Sequence, residues 1–166
     1  MFKKIVFFAL LALPLGAFAQ EKIAYFNPAE VVVIMPEYKQ MQDSLQKVQV
    51  EYQKEIEMLK EEYNNKYQAF MNESEGLSEA IKIRRMQEIQ SIEERAALFG
   101  EDSQQRLYQL QQALFEPIQR KLQDALKAVG AANNFLYILN ANQEILYYIS
   151  PNAIDATPLV LKHLKL

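Results

Sequence analysis

From residue 41 onward, apolar and polar side chains alternate with a helical period. Apolar residues fall at Met41, Leu45, Val48, Tyr52, Ile56, Leu59, Tyr63, Tyr67 and Phe70, in steps of three and four. The steps close into an eleven-residue repeat through Met41, Tyr52 and Tyr63. Eleven residues in three turns is about 3.67 per turn, close to the natural pitch, so the stripe stays on one face of a nearly straight helix. Asn72 to Ser78 breaks the pattern with two serines and a glycine, which predicts the tip of a helical hairpin with Ser78 capping the return helix. The return stripe reads Ile81, Ile89, Ile92, Ala96, Phe99, Leu107, Leu110, Leu114, Ile118, Leu122, Ala125 and Val129. Arg85 and Ser103 fall on this seam and Gly100 lies beside it, so packing is expected to be loosest at mid-length. Pro117 removes a backbone donor and predicts a kink.

The two chain ends read differently. Lys22 to Phe26 is a short β-like run, and Asn27-Pro28-Ala29-Glu30 is a helix start: an N-cap, a proline in first position and an acid three residues on. Val31 to Met35 should continue as a short buried helix to Pro36, which kinks the chain or opens a new helix. At the far end, Gly130 is expected to close the long helix. Phe135–Leu139 and Ile145–Ile149 read as two strands of a hairpin joined by Asn140–Glu144. Thr157 should cap a last helix that has Pro158 in first position.

Both of those strands are apolar at nearly every position, which marks strands covered on both faces. One copy has too few helical turns to cover both, so another copy is expected on the second face. The stretch from Met41 to Phe70 alone is roughly 45 Å long as a helix, and two such helices bury only one stripe. The predicted fold is therefore α+β and mostly helical: a long antiparallel two-helix arm, residues 37–116, projecting from a small oligomerising β body built from residues 20–36 and 117–166.

Residues 1–19 read as an address. Met1-Phe2-Lys3-Lys4 is basic, Ile5 to Ala19 is apolar apart from Pro14 and Gly16, and Ala17-Phe18-Ala19 offers a small-x-small exit. That is the layout of a cleavable secretory signal peptide, too short to span a bilayer. The mature protein is expected to be exported to a bacterial periplasm without stable membrane insertion. ATP is not expected there, so any work must run on binding energy.

Composition removes most chemistry. There is no cysteine and one histidine, His163, which excludes a disulfide framework and thiolate chemistry and leaves histidine catalysis or a metal site improbable. The net charge of −3 argues against nucleic acid as a partner. Glu61-Glu62 and Glu93-Glu94 diverge by about 100° on a helix and cannot share a substrate. No phosphate loop or catalytic triad is present; no catalytic residue, cofactor or metal is expected, and the chain reads as a non-enzyme. Residues 37–116 carry a net charge of −6 and residues 117–166 one of +2. An acidic, glutamine-rich arm keeps itself soluble, and binding falls to apolar residues off the stripe or near the tip: Val50, Met58, Met71, Leu77, Ile83, Met86 and Leu98. Tyr63, Tyr67 and Phe70 lie on the stripe but are bulky enough to show an edge.

KIAYFN leading into NPAEV, MPEYK opening a charged hairpin, LFEPIQRKLQDAL returning it to FLYILN, and a closing YISPNAIDATPLVLKHL together resemble the Skp/OmpH family of periplasmic chaperones. The resemblance implies a homotrimer whose strands form a central body and whose arms enclose unfolded outer-membrane proteins without ATP. It implies Ile23, Tyr25, Phe26, Leu136, Ile138, Leu146 and Tyr148 in or near the oligomeric body. Its best-known members have basic arms; this arm is acidic, so lipopolysaccharide binding is not carried over. The rival reading is an exported helical spacer or adaptor of the cell envelope.

Overall fold

The computed structural model describes residues 22–142 and 146–166. The expected signal peptide, Ile145 and the Gln143–Glu144 part of the expected hairpin turn lie outside them.

A strand, β1 (Lys22–Phe26), leads into a one-turn helix, α1 (Pro28–Val32). Asn27 caps that helix as its sequence requires: its Oδ1 accepts from the Ala29 N–H at 3.1 Å, and its amide donates to Glu30 Oε1 at 2.7 Å. The Asn27 backbone N–H is left for a partner far along the chain, Thr157 Oγ1, at 3.0 Å. Of the apolar run that follows, only Val31 and Met35 are fully buried; Val33 and Ile34 are exposed. The helix stops at Val32 instead of continuing to Pro36, because extended Met35 and Pro36 open a new one.

That helix, α2 (Pro36–Glu73), runs out to a 3₁₀ turn at Ser74–Gly76, and α3 (Glu79–Asn133) returns. At 1.5 Å per residue α2 is roughly 57 Å long. The turn falls in the expected place and Ser78 occupies the N-cap position, though its side chain makes no capping bond. α3 passes through Pro117 without ending and runs beyond Gly130 to Asn133. Asn134 adopts the left-handed conformation (φ 53°) that closes it, a role asparagine fills with little strain.

β2 (Phe135–Asn140) then pairs with β1 in parallel, and β3 (Ile154–Asp155) pairs with the other edge of β1, also in parallel. This corrects the expected hairpin. Leu146–Ile149 is not a strand; the Leu146 N–H closes a turn on the Asn142 carbonyl at 2.9 Å where a hairpin ladder would begin. Both edges of β1 are already taken, one by each parallel neighbour. The long α1–α2–α3 excursion supplies the crossover that parallel pairing needs. The last helix, α4 (Thr157–Leu164), is capped at Ala156, one residue earlier than expected, so Pro158 sits second in the helix. Thr157 N–H donates to Asp155 Oδ1 at 2.9 Å.

The core lies at this base. Ala24 and Phe26 from β1, Val31 from α1, Leu122, Ala125 and Val129 from α3, Ala156 just before α4 and Val160 within it are buried together. A second cluster, Met35, Met41 and Ile118, seals the root of the hairpin. Beyond it α2 buries only Leu59, and α3 only Ile89, Ile92 and Ser103. The arm is a zipper without an enclosed core, as the single stripe predicts.

Candidate binding surface on the helical arm

Two helices meeting along one stripe leave their outer faces wet, and the side chains divide accordingly. Every apolar stripe residue of α2 from Met41 to Phe70 is at least partly buried except Tyr67, and on α3 Ile81 is the exposed one. Tyr52 meets Phe99 edge-on with ring centroids 5.7 Å apart, while Tyr63 and Tyr67 stack at 6.0 Å along α2. The seam has one polar flaw. Ser103 is 4% exposed, and its hydroxyl has no hydrogen-bond partner. Gly100, one turn earlier, has open space where a Cβ would stand. The seam's irregular residues thus stand side by side at mid-arm.

Ion pairs tie the two helices at intervals. Glu73 meets Arg85 at 2.6 Å, Glu88 meets Lys66 at 3.3 Å and Glu62 meets Arg95 at 3.3 Å, while Glu37 and Lys121 pair at the root. Lys121 holds the Glu37 carboxyl below the ordinary carboxylate range, helped by a backbone N–H, and Lys66 does the same to Glu88. Glu37 Oε2 is enclosed without a partner even though the side chain as a whole is 39% exposed. All five arginines are engaged: Arg84 with Glu88, Arg85 with Glu73, Arg95 with Glu62, Arg106 with Asp102 and Arg120 with Glu116.

Of the sequence-predicted binding residues, Val50, Met58, Tyr67, Met71, Ile83, Met86 and Leu98 are exposed, whereas Tyr63, Phe70 and Leu77 are partly buried. They do not converge on one cavity. Val50 borders a shallow groove with Asp43, Lys47 and Lys54. Tyr63 lines a notch between the helices with Leu59, Ile92 and Ala96. The others are strung along the outer faces. Tyr108 belongs with them, being exposed on α3. It escaped the sequence reading because it adjoins stripe residue Leu107, and only its angle around the helix sets it apart.

At the base, the residues expected near an oligomeric body fall into two groups. Phe26 and Ile138 pack in this copy's own core. Ile23 is exposed and lies in register with Tyr137; Tyr25 is in register with Leu139. Period-two alternation puts these four on the sheet face away from the helices. Leu136 is exposed at the β1–β2 irregularity, Leu146 is partly buried and Tyr148 is exposed beside Tyr147. Tyr137 and Leu139 were not singled out from sequence, because an unbroken apolar run hides which positions face inward.

No group of three or more acidic or histidine side chains is placed to hold a metal among the described residues. None of the described helices is long and apolar enough to cross a membrane.

No curated protein matches this sequence. Among solved structures, one from Caulobacter crescentus CB15, described as a proposed outer membrane chaperone (OmpH-like), superposes with a TM-score of 0.76 at 15% identity, covering 88% of this chain and 85% of that one. At that identity the likeness establishes the fold. The family profile described as "Outer membrane protein (OmpH-like)" matches residues 22–164, nearly the whole of the described chain. The chain thus belongs to the OmpH-like family.

Proposed function

We propose that the protein is an ATP-independent periplasmic holdase: a homo-oligomer, three copies in our reading, whose arms hold unfolded outer-membrane proteins apart until they are passed on. The observation that carries this reading is the exposure along the arm. Val50, Met58, Met71, Ile83, Met86 and Leu98 are each between 44% and 67% exposed, spread over both helices and both sides of the tip. A folded partner is bound through a compact cluster of anchors; scattered single contacts suit a chain that threads among them. Each contact is weak, and their sum through avidity gives retention that still permits release. Methionine and leucine supply contacts indifferent to sequence. Self-association is supported by the outer sheet face of Ile23, Tyr137 and Leu139 and by the nearby Tyr147 and Tyr148, too much apolar surface for one small base. Family membership and the leader-like first 19 residues support the chaperone role and the compartment.

Dilution of a urea-unfolded outer-membrane β-barrel protein into buffer, followed by light scattering, tests this. Scattering should be suppressed near equimolar assembly and client. Undiminished scattering at several assemblies per client rejects the holdase.

A further inference from the structure

The free charge on the arm is distributed unevenly between the two flanks of α3. Arg84, Arg95 and Arg106 follow one another eleven residues apart along one flank, and each is neutralised by a carboxylate. The side of α3 opposite the seam has a different content. Ile83, Met86, Glu94, Leu98, Glu101 and Tyr108 follow at helical spacing there. The four apolar members are between 50% and 67% exposed. Glu94 and Glu101 are exposed and take part in no ion pair among the described residues, where Glu94 accepts only from Gln90, at 3.0 Å. Of the lysines on this part of the arm, Lys82 pairs with Glu79 at 3.8 Å, and Lys60 of α2 lines the notch between the helices together with Glu93.

Such a face limits its occupant. It is too interrupted by carboxylates and glutamines to be a permanent helix–helix seam, which needs a continuous apolar stripe. An anionic lipid surface or a nucleic acid is repelled by free carboxylates with no arginine turned toward it. An acidic polypeptide meets the same repulsion. A polypeptide with lysine or arginine between apolar residues satisfies both elements at once: its apolar side chains cover Leu98, Met86 and Tyr108, and its cations answer Glu94 and Glu101.

We propose that the outer face of α3 between Ile83 and Tyr108 captures unfolded segments in which basic residues alternate with apolar ones, and disfavours acidic segments. This rests on the holdase reading and assigns it a client chemistry.

The test uses the full mature protein and two fluorescein-labelled unstructured peptides of identical apolar content, one with lysine and one with glutamate at every charged position. Anisotropy should show the lysine peptide bound about tenfold tighter near 50 mM NaCl, with the advantage shrinking to about twofold near 500 mM as screening sets in. Glu94→Gln with Glu101→Gln should narrow the low-salt preference, and Leu98→Ser with Tyr108→Ser should weaken both peptides alike. Equal or tighter binding of the glutamate peptide overturns the client chemistry and leaves the holdase standing. Failure of both peptides to bind overturns this proposal, while the scattering assay decides the holdase separately. A Leu98→Arg variant that changes the assembly's mass but neither affinity identifies the face as a contact between copies and overturns the proposal.

Discussion

Glu62 and Arg95 meet across the arm at 3.3 Å, and the eleven-residue step that carries the apolar stripe carries them too. Glu51, Glu62 and Glu73 repeat it on α2; Arg84, Arg95 and Arg106 repeat it on α3. Of the pairs these two series could form across the arm, one is made, Glu62 with Arg95; Glu73 pairs with Arg85 beside the series, while Arg84 bonds Glu88 and Arg106 bonds Asp102 at 2.6 Å, each on its own helix. A single rung of this kind adds little strength. Both side chains of the Glu62–Arg95 rung are about half exposed, so Arg95→Ala should lower stability by no more than about 0.5 kcal/mol in urea unfolding.

The mid-arm defect should be repairable. Ser103→Ala removes a buried hydroxyl that has no partner and puts a better helix former in its place, for a gain of about 1 kcal/mol. Gly100→Ala meets nothing within 4 Å and should add a similar amount. A lower urea midpoint for either variant would contradict the unpaired Ser103 hydroxyl or the open space beside Gly100.

The two chain ends are joined by the Asn27 N–H on Thr157 Oγ1 at 3.0 Å, with Thr157 only 3% exposed. Thr157→Val keeps the shape and deletes the acceptor, so a part-buried donor loses its partner. The expected cost is about 1–3 kcal/mol, read as a fall in the thermal midpoint of the base. Ser in the same place should restore most of it.

Acid should loosen the root of the arm. Lys121 lowers the folded-state pKa of Glu37, so the pair's contribution is fully present above the ordinary glutamate value of about 4.3 and is lost as pH falls through the lower folded value. The side chains are 39% and 43% exposed, which keeps the effect to a fraction of a kcal/mol. Lys121→Met should lower stability near neutrality by that fraction and leave it unchanged once Glu37 is protonated, so its profile falls less steeply below pH 5, measured by urea unfolding across that range.

The arm was legible in the sequence because it rests on one local rule. An apolar stripe at period 3.67 fixes two helices, their facing sides and the tip between them, and Ser103 and Gly100 announce the weak point. The base was less legible. Apolar content says that Phe135–Asn140 is covered, but not that β1 will be its parallel neighbour, since that depends on an edge more than a hundred residues away. Leu146–Ile149 has the composition of a strand but joins neither outer edge of the sheet. Asn134 replaced Gly130 as the helix end because both residues tolerate the left-handed conformation, and sequence alone does not rank them. The binding residues were partly legible: off-stripe Met58, Met86 and Leu98 stood out, whereas Tyr108 needed the helical angle.

The most direct measurement is analytical sedimentation of the mature protein, alone and with a urea-diluted outer-membrane β-barrel protein. Alone it should run as one elongated assembly of a few copies, and with client as a larger soluble species carrying the unfolded chain. A folded monomer that sediments unchanged while the client pellets would contradict both the shared base and the grasping arms.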